Sequence, residues 1–297
     1  MPCRVGVAWG DELLRYSFPE PHPFRRERVI AFYAELSQLE KELAESVVRV
    51  KPEQAARDDL ILFHEADYID FVRRRSEEGR GYLDYGDTPA FRGCYEASLY
   101  VVGSTLKLIK LILQEELDHG FNPVGGLHHA RRSSAGGFCI FNDVAVAIKY
   151  LLERERLSEI LYVDIDAHHG NGTQDIFMGR ENVIYISLHQ VPLYPGTGLH
   201  SQNNCYNFPL PPGTQNEEYL HTLDEALQII SEFNPDVIAL SLGLDTYCED
   251  LLTNFQLTFE AYEKIGEKLK KFRPLFAVLE GGYTLQLGCL IEAIFKN

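Results

Sequence analysis

The sequence is poor in several features that would each announce a class of protein. Its six cysteines (Cys3, Cys94, Cys139, Cys205, Cys248 and Cys289) are scattered and form no CxxC pair. In a chain of 297 residues that spacing speaks for reduced thiols rather than a disulfide framework or a zinc knuckle. Positive charge is also scarce: 28 Lys and Arg stand against 44 Asp and Glu, a net charge of −16. Nucleic-acid phosphates would be repelled, so no nucleic-acid partner is expected, whereas a cationic substrate would be steered inward. No apolar run approaches the ~20 residues that a membrane span needs, so no membrane partner is expected. The opening MPCRVGVAWGDELL lacks a basic leader followed by an apolar core, and the expected location is the cytoplasm. No Pro-rich linker, repeat or low-complexity tract divides the chain, which is read as one domain over residues 1–297.

What remains is a globular composition, 45% hydrophobic and 24% charged, whose pattern alternates between two periods. CRVGVAW, EILYVDID, NVIYISLH, PDVIALSLG and LFAVLEGG are short, nearly continuous apolar runs, the signature of strands covered on both faces. Between them, helical periodicity is expected over residues 26–48, 92–116, 142–155, 217–232 and 257–272. Asn142 or Asp143 is placed to cap the third of these. The alternation predicts an α/β fold with a mostly parallel sheet flanked by helices. Residues 77–92, 120–141 and 190–215 are expected to be irregular, and loops of that length usually carry function.

Ligands of open parallel sheets bind beyond the carboxyl ends of the strands, and the unusual polar residues collect there. Asp164, Asp166, His168 and His169 follow EILYV; Asp245 follows DVIALSLG; Gly281, Gly282 and Tyr283 follow LFAVLE. The loop before the Asn142 helix carries the pair His128–His129. In extended backbone Asp164, Asp166 and His168 share one side. Asp166 and His168 can then hold one metal ion, with Asp245 as the candidate third ligand from a neighbouring strand. Two carboxylates and one imidazole suit Zn²⁺ or another borderline divalent ion with positions left open for water and substrate. Singly, each feature has a plain explanation: a cap, a hydrogen-bonded loop histidine, a turn. Cys248 competes as a soft ligand. It is the coincidence at several strand ends that points to a catalytic metal site.

Taken together, GGLHHARRSSAGGFCIFNDVAVA, YVDIDAHHGNGTQDIF, YPGTG, SLGLD and LEGGY resemble, in order, the motifs of the zinc-dependent histone deacetylase superfamily. That superfamily includes acetoin-utilisation proteins and acetylpolyamine amidohydrolases. With HPFRRER and FHEADYIDFV near the start, the resemblance spans nearly the whole chain. It implies the arginase–deacetylase fold, a single α/β domain around an eight-stranded sheet. It implies removal of an acetyl group from acetyl-lysine or a related acetylated amine by metal-activated water. Asp166, His168 and Asp245 would be ligands of Zn²⁺, with Fe²⁺ as the alternative. His128 and His129 would be the paired imidazoles, His129 the general base and acid and His128 oriented by Asp164. Asn171 would stand behind His129, and Tyr283 would donate to the oxyanion. Gly137, Phe138 and Tyr194 would line the channel, with Asp87 at its rim and Cys139 a wall residue. A K⁺ site is implied at Asp164, with Asp166, His168, Ser187 and Leu188.

Two rivals differ in recognisable ways. An arginase-like dinuclear enzyme needs DxHxD and SxDxD, but Gly170 and Gly243 occupy the positions of the extra carboxylates. A sensor of acetylated ligands would have no use for His129 and Tyr283 together. The choice among acetyl-lysine, acetylpolyamine and other small amides is left open by the sequence, and Asp250-Leu251 stands where the family often has Asp-Pro.

Overall fold

A computed structural model describes residues 3–39, 46–284, 286 and 290. Eight strands form one sheet: β1 (Val5–Ala8), β2 (Val47–Val50), β3 (His119–Asn122), β4 (Ile160–Asp164), β5 (Val183–Gln190), β6 (Cys205–Leu210), β7 (Val237–Leu242) and β8 (Leu275–Leu279). Their order is β2-β1-β3-β8-β7-β4-β5-β6, and every pairing is parallel. The helices are α1 (Glu27–Leu39), α2 (Arg57–Leu60), α3 (Ala66–Glu78), α4 (Cys94–Leu113), α5 (Asp143–Glu153), α6 (Asn171–Phe177), α7 (Asn216–Glu232) and α8 (Phe259–Leu269). No helix among the described residues is long and apolar enough to cross a membrane.

The apolar runs form strands because both faces of the sheet are covered. All five residues of β4 and all six of β7 are buried. Along β4 the side chains alternate between two cores: Ile160 and Tyr162 enter the one built on α4 and α5, while Leu161 and Val163 enter the one under α7 and α8. Asn142 starts α5 as expected, its side-chain oxygen accepting the N–H of Ala145 at 2.9 Å.

Several boundaries differ from the sequence expectation. The helix expected over 26–48 ends at Leu39, and Val47–Val50 is an edge strand on β1. Residues 40–45 of that expected helix lie outside the described ones. β3 and β6 run through segments expected to be irregular. HGFN is too short and polar to form an apolar run, and Pro209 in CYNFPL is tolerated because β6 is an edge strand. α3 and α6 were not anticipated. EILYVDID is strand only to Asp164, after which the chain leaves the sheet. The five described cysteines are free thiols; Cys289 lies outside the described residues.

Candidate active site

The central strands β3, β8, β7 and β4 are neighbours, so the segments leaving their carboxyl ends meet above the middle of the sheet. The segment after β4 is organised by its own carboxylates. Asp164 Oδ1 accepts the N–H of Asp166 at 3.2 Å, and Asp166 Oδ1 accepts the N–H of His168 at 2.7 Å. These bonds, each from a side chain to the N–H two residues on, bend the chain at residues 166–168 as it leaves the sheet, where the sequence suggests extended backbone. Asp245, following β7, reaches across and accepts the N–H of Ala167 at 2.9 Å. Gly281, following β8, donates its N–H to Asp166 Oδ2 at 2.7 Å.

The three expected ligands are thereby brought together. His168 Nδ1 lies 3.0 Å from Asp166 Oδ1 and 2.8 Å from Asp245 Oδ2, and one donor atom from each residue lies within 4.8 Å of the others. Both carboxylates are buried, and only His168 retains side-chain exposure, 14%. Burial, then the Asp166 charge, pushes Asp245 up to about 7. Burial opposes a charge on His168, but its bonds to Asp166 and Asp245 prevail and raise it to about 10. Asp166 is driven below the usual carboxylate range because the His168 bond outweighs its burial. The chain alone can balance these two carboxylates only with protons. A divalent cation fits the donor set better, since two carboxylates and an imidazole, all borderline-to-hard donors, lie within 4.8 Å of one another.

His128 and His129 stand beside this cluster. Asp164 Oδ2 sits 2.7 Å from His128 Nδ1 and also accepts the hydroxyl of Tyr162 at 2.8 Å. His129 Nδ1 lies 2.8 Å from Asn171 Oδ1, and the two Nε2 atoms are 3.1 Å apart. Asn171 Oδ1 can only accept, so Nδ1 of His129 carries the hydrogen and Nε2 presents a lone pair. Burial and the neighbouring His128 hold His129 well below its ordinary pKa. Burial opposes a charge on His128, yet Asp164 offsets this and leaves it raised.

Above them is a cavity of about 270 Å³, lined by Phe138, Tyr194, Leu193, Leu252, Tyr283 and Asp87 among others. The Tyr194 ring packs 5.0 Å from that of His129, and the Phe138 ring 6.0 Å from that of Tyr283. Gly137 and Phe138 both have positive φ, +54° and +71°. A Cβ at Gly137 would come within 2.3 Å of His129 Cδ2, so only glycine lets the wall approach the imidazole. Tyr16 Oη donates to Phe138 O at 2.8 Å, and Phe138 N–H donates to Thr88 Oγ1 at 3.1 Å. Asp87 Oδ1 accepts the Thr88 hydroxyl; burial and nearby Asp84 push Asp87 up to about 6. Cys139 does not line the cavity, contrary to expectation. It is buried behind it with its thiol on Gly137 O, and burial pushes that thiol well up. Asp164 and Ser187 are register partners on β4 and β5, so residues of the expected potassium site adjoin.

Gly170 and Gly243 leave no room for the extra carboxylates of a dinuclear site. A Cβ at Gly170 would lie 2.4 Å from Asp164 Oδ2, and one at Gly243 would lie 2.3 Å from Asp166 Cα.

Sequence reasoning missed the contacts of three residues: it passed over Glu280 and Arg28, and noted Asp250 only for the residue that follows it. Glu280 Oε1 accepts the N–H of His128 at 2.9 Å, and burial pushes its carboxyl well above the usual range. It lies near His128 and Asp166, but His128 Nδ1 is already bonded to Asp164. The acid at the tip of β8 was visible in LEGGY by the logic that singled out Asp164. Arg28 donates to Gly282 O at 2.7 Å and to Glu280 O, and lies 4.8 Å from the Tyr283 ring. Asp250 Oδ2 accepts the N–H of Tyr283 at 2.7 Å.

A family model described as "Histone deacetylase domain" matches residues 22–295. A "Probable deacetylase" of Archaeoglobus fulgidus is 33% identical over 299 residues, covering 95% of this chain and 82% of that protein. An "Acetoin utilization protein AcuC" of Bacillus subtilis is 35% identical over 267 residues, covering 84% of this chain and 68% of that protein. Among solved structures, the HDA15 HD domain superposes with a TM-score of 0.90 at 29% identity, covering 99% of this chain and 88% of that one.

Proposed function

Because the chain belongs to the histone deacetylase family, we propose that it is a metal-dependent deacetylase. In this reading its one catalytic domain, residues 1–297, removes acetyl groups from acetyl-lysine or a related acetylated amine. The observation that carries this reading is the meeting of the Asp166, His168 and Asp245 donors, with Asp166 and His168 lining the same cavity as His129 and Tyr283. These three residues would hold Zn²⁺, or Fe²⁺ in its place. When bound, such an ion polarises an acyl carbonyl and lowers the pKa of a water, toward ~7 in well-studied zinc enzymes.

The residues of the chain supply the remainder. Asp166 and Asp245 are held by backbone N–H groups of His168, Gly281 and Ala167, so the donor set needs little rearrangement. His129, neutral and with its Nδ1 hydrogen on Asn171, uses Nε2 to take a proton from the attacking water and returns one to the leaving amine. Asp164 keeps His128 oriented and supports its charge. Tyr283 donates to the oxygen that gains negative charge. Phe138 and Tyr194 flank the substrate's alkyl chain and exclude water, and Asp87 accepts from an N–H at the mouth. K⁺ beside Asp164 and Ser187, with Asp166, His168 and Leu188, would stiffen the same strand ends. The scattered free thiols support a cytoplasmic location.

The channel suits an acetylated amine on an alkyl chain of either kind, and a substrate panel decides between lysine and polyamine. Turnover of a fluorogenic acetyl-lysine substrate, lost with a chelator and restored by Zn²⁺, is the expected result. Absence of turnover on every acetylated peptide and polyamine, with metal bound, would overturn the reading and favour a sensor.

A further inference from the structure

Tyr194 is 46% exposed, so its own packing does not account for its place against His129. It rides on the connection between β5 and β6, residues 191–204, and the anchors of that connection lie a few residues further on. Thr197 Oγ1 is 2.7 Å from His169 Nδ1, and Gly198 O is 3.0 Å from His189 Nε2. Both imidazoles are buried, and their ring centroids are 4.8 Å apart.

The remaining contacts settle which nitrogen carries each hydrogen. Gly198 O only accepts, so His189 Nε2 donates, and His189 Nδ1 at 2.9 Å takes the hydroxyl of Ser187. Gln174 Oε1 already accepts from Asn207 Nδ2 at 2.7 Å. It is therefore also the acceptor for His169 Nε2 at 3.0 Å, which leaves His169 Nδ1 to receive the Thr197 hydroxyl. One tautomer of each ring satisfies every contact. The fit is close: Gly198 has φ +73°, and a Cβ there would stand 2.5 Å from His169 Cδ2 and 2.7 Å from His189 Nε2.

We propose that His169 and His189 are positioning residues that latch residues 197–198 to the sheet and thereby hold Tyr194 as one wall of the substrate channel. The kinetic consequence rests on the reading of Tyr194 as a channel wall; the latch itself does not. The latch predicts a change in substrate binding rather than in the chemical step.

Three variants test it in the metal-loaded protein. His189→Phe keeps the ring volume but removes the donor to Gly198 O, and Gly198→Ala pushes the loop off from its own side. Each should raise KM for a fluorogenic acetyl-lysine substrate about tenfold, a change equivalent to about 1.4 kcal/mol, with kcat little changed. His189→Gln, which retains a side-chain N–H donor, should recover most of that loss. In a Tyr194→Ala background neither substitution should raise KM further. Hydrogen exchange gives a readout independent of turnover: amides of residues 193–198 should exchange faster in both variants, while those of β5 do not. Unchanged exchange in both variants overturns the latch, whether or not the parent protein turns over substrate. Equal KM increases with and without Tyr194 would overturn its action through that residue. An inactive parent protein would count against the deacetylase reading, and exchange would still decide the latch.

Discussion

Gly281→Ala puts the smallest possible side chain where the proposed ligand set is tightest. A Cβ at this position would lie 2.6 Å from Asp245 Oδ2 and 2.7 Å from Asp166 Oδ2. A carbon–oxygen contact settles at roughly 3.3 Å or more, so both oxygens must retreat, by about 0.6 to 0.7 Å. Neither can do so freely: Asp166 Oδ2 accepts the Gly281 N–H, and Asp245 Oδ1 accepts that of Ala167. Sound metal sites keep their ligand distances within about 0.2 Å, so the displacement is about three times the tolerance. Disturbing the groups that orient a ligand typically costs about 10–100-fold in metal affinity, and we expect a loss in that range. The assay is Zn²⁺ competition against a chromophoric chelator, with circular dichroism to confirm folding. A folded Gly281→Ala protein that binds Zn²⁺ with parental affinity would refute the assignment of Asp166 and Asp245 as ligands.

Tyr283→Phe should lower kcat by about 10² to 10³ with metal content intact; an unchanged kcat would remove the phenol from the mechanism. Asn171→Asp places a carboxylate against the Nδ1 hydrogen of His129, favouring the imidazolium and raising the pKa of the base. Since the base must be neutral, the acidic limb of the kcat/KM profile should move to higher pH; no movement, or movement to lower pH, contradicts that role. Asn142→Ala removes the cap on Ala145 and side-chain donors to Ala130 O and Thr173 Oγ1. It should cost about 1–3 kcal/mol in denaturant unfolding, and a smaller loss would mean that the His128 loop is held by other contacts.

The gathering of Asp164, Asp166, His168, Asp245 and Tyr283 at one rim was legible because charge at the tip of a buried strand has no packing explanation. The same reasoning applied to Glu280, whose role was nevertheless missed, because its partner His128 lies 152 residues away. Arg28 was invisible for a similar reason: it sits on α1 and its acceptor Gly282 is 254 residues distant. The central strands of the sheet were readable as doubly covered apolar runs. β3 was not, since four residues containing His, Gly and Asn show no period. β2 was absorbed into a helix because Val47–Val50 follows directly on helical periodicity, and only its pairing with β1 makes it a strand.

The central claim, that one cation on Asp166, His168 and Asp245 enables hydrolysis of an acetylated amine, is tested most directly by adding Zn²⁺ stepwise to metal-stripped protein while following turnover. Activity should be absent at first, rise in proportion to added ion and level off at one ion per chain. Full activity in the stripped protein, or a plateau reached only at two ions per chain, would contradict it.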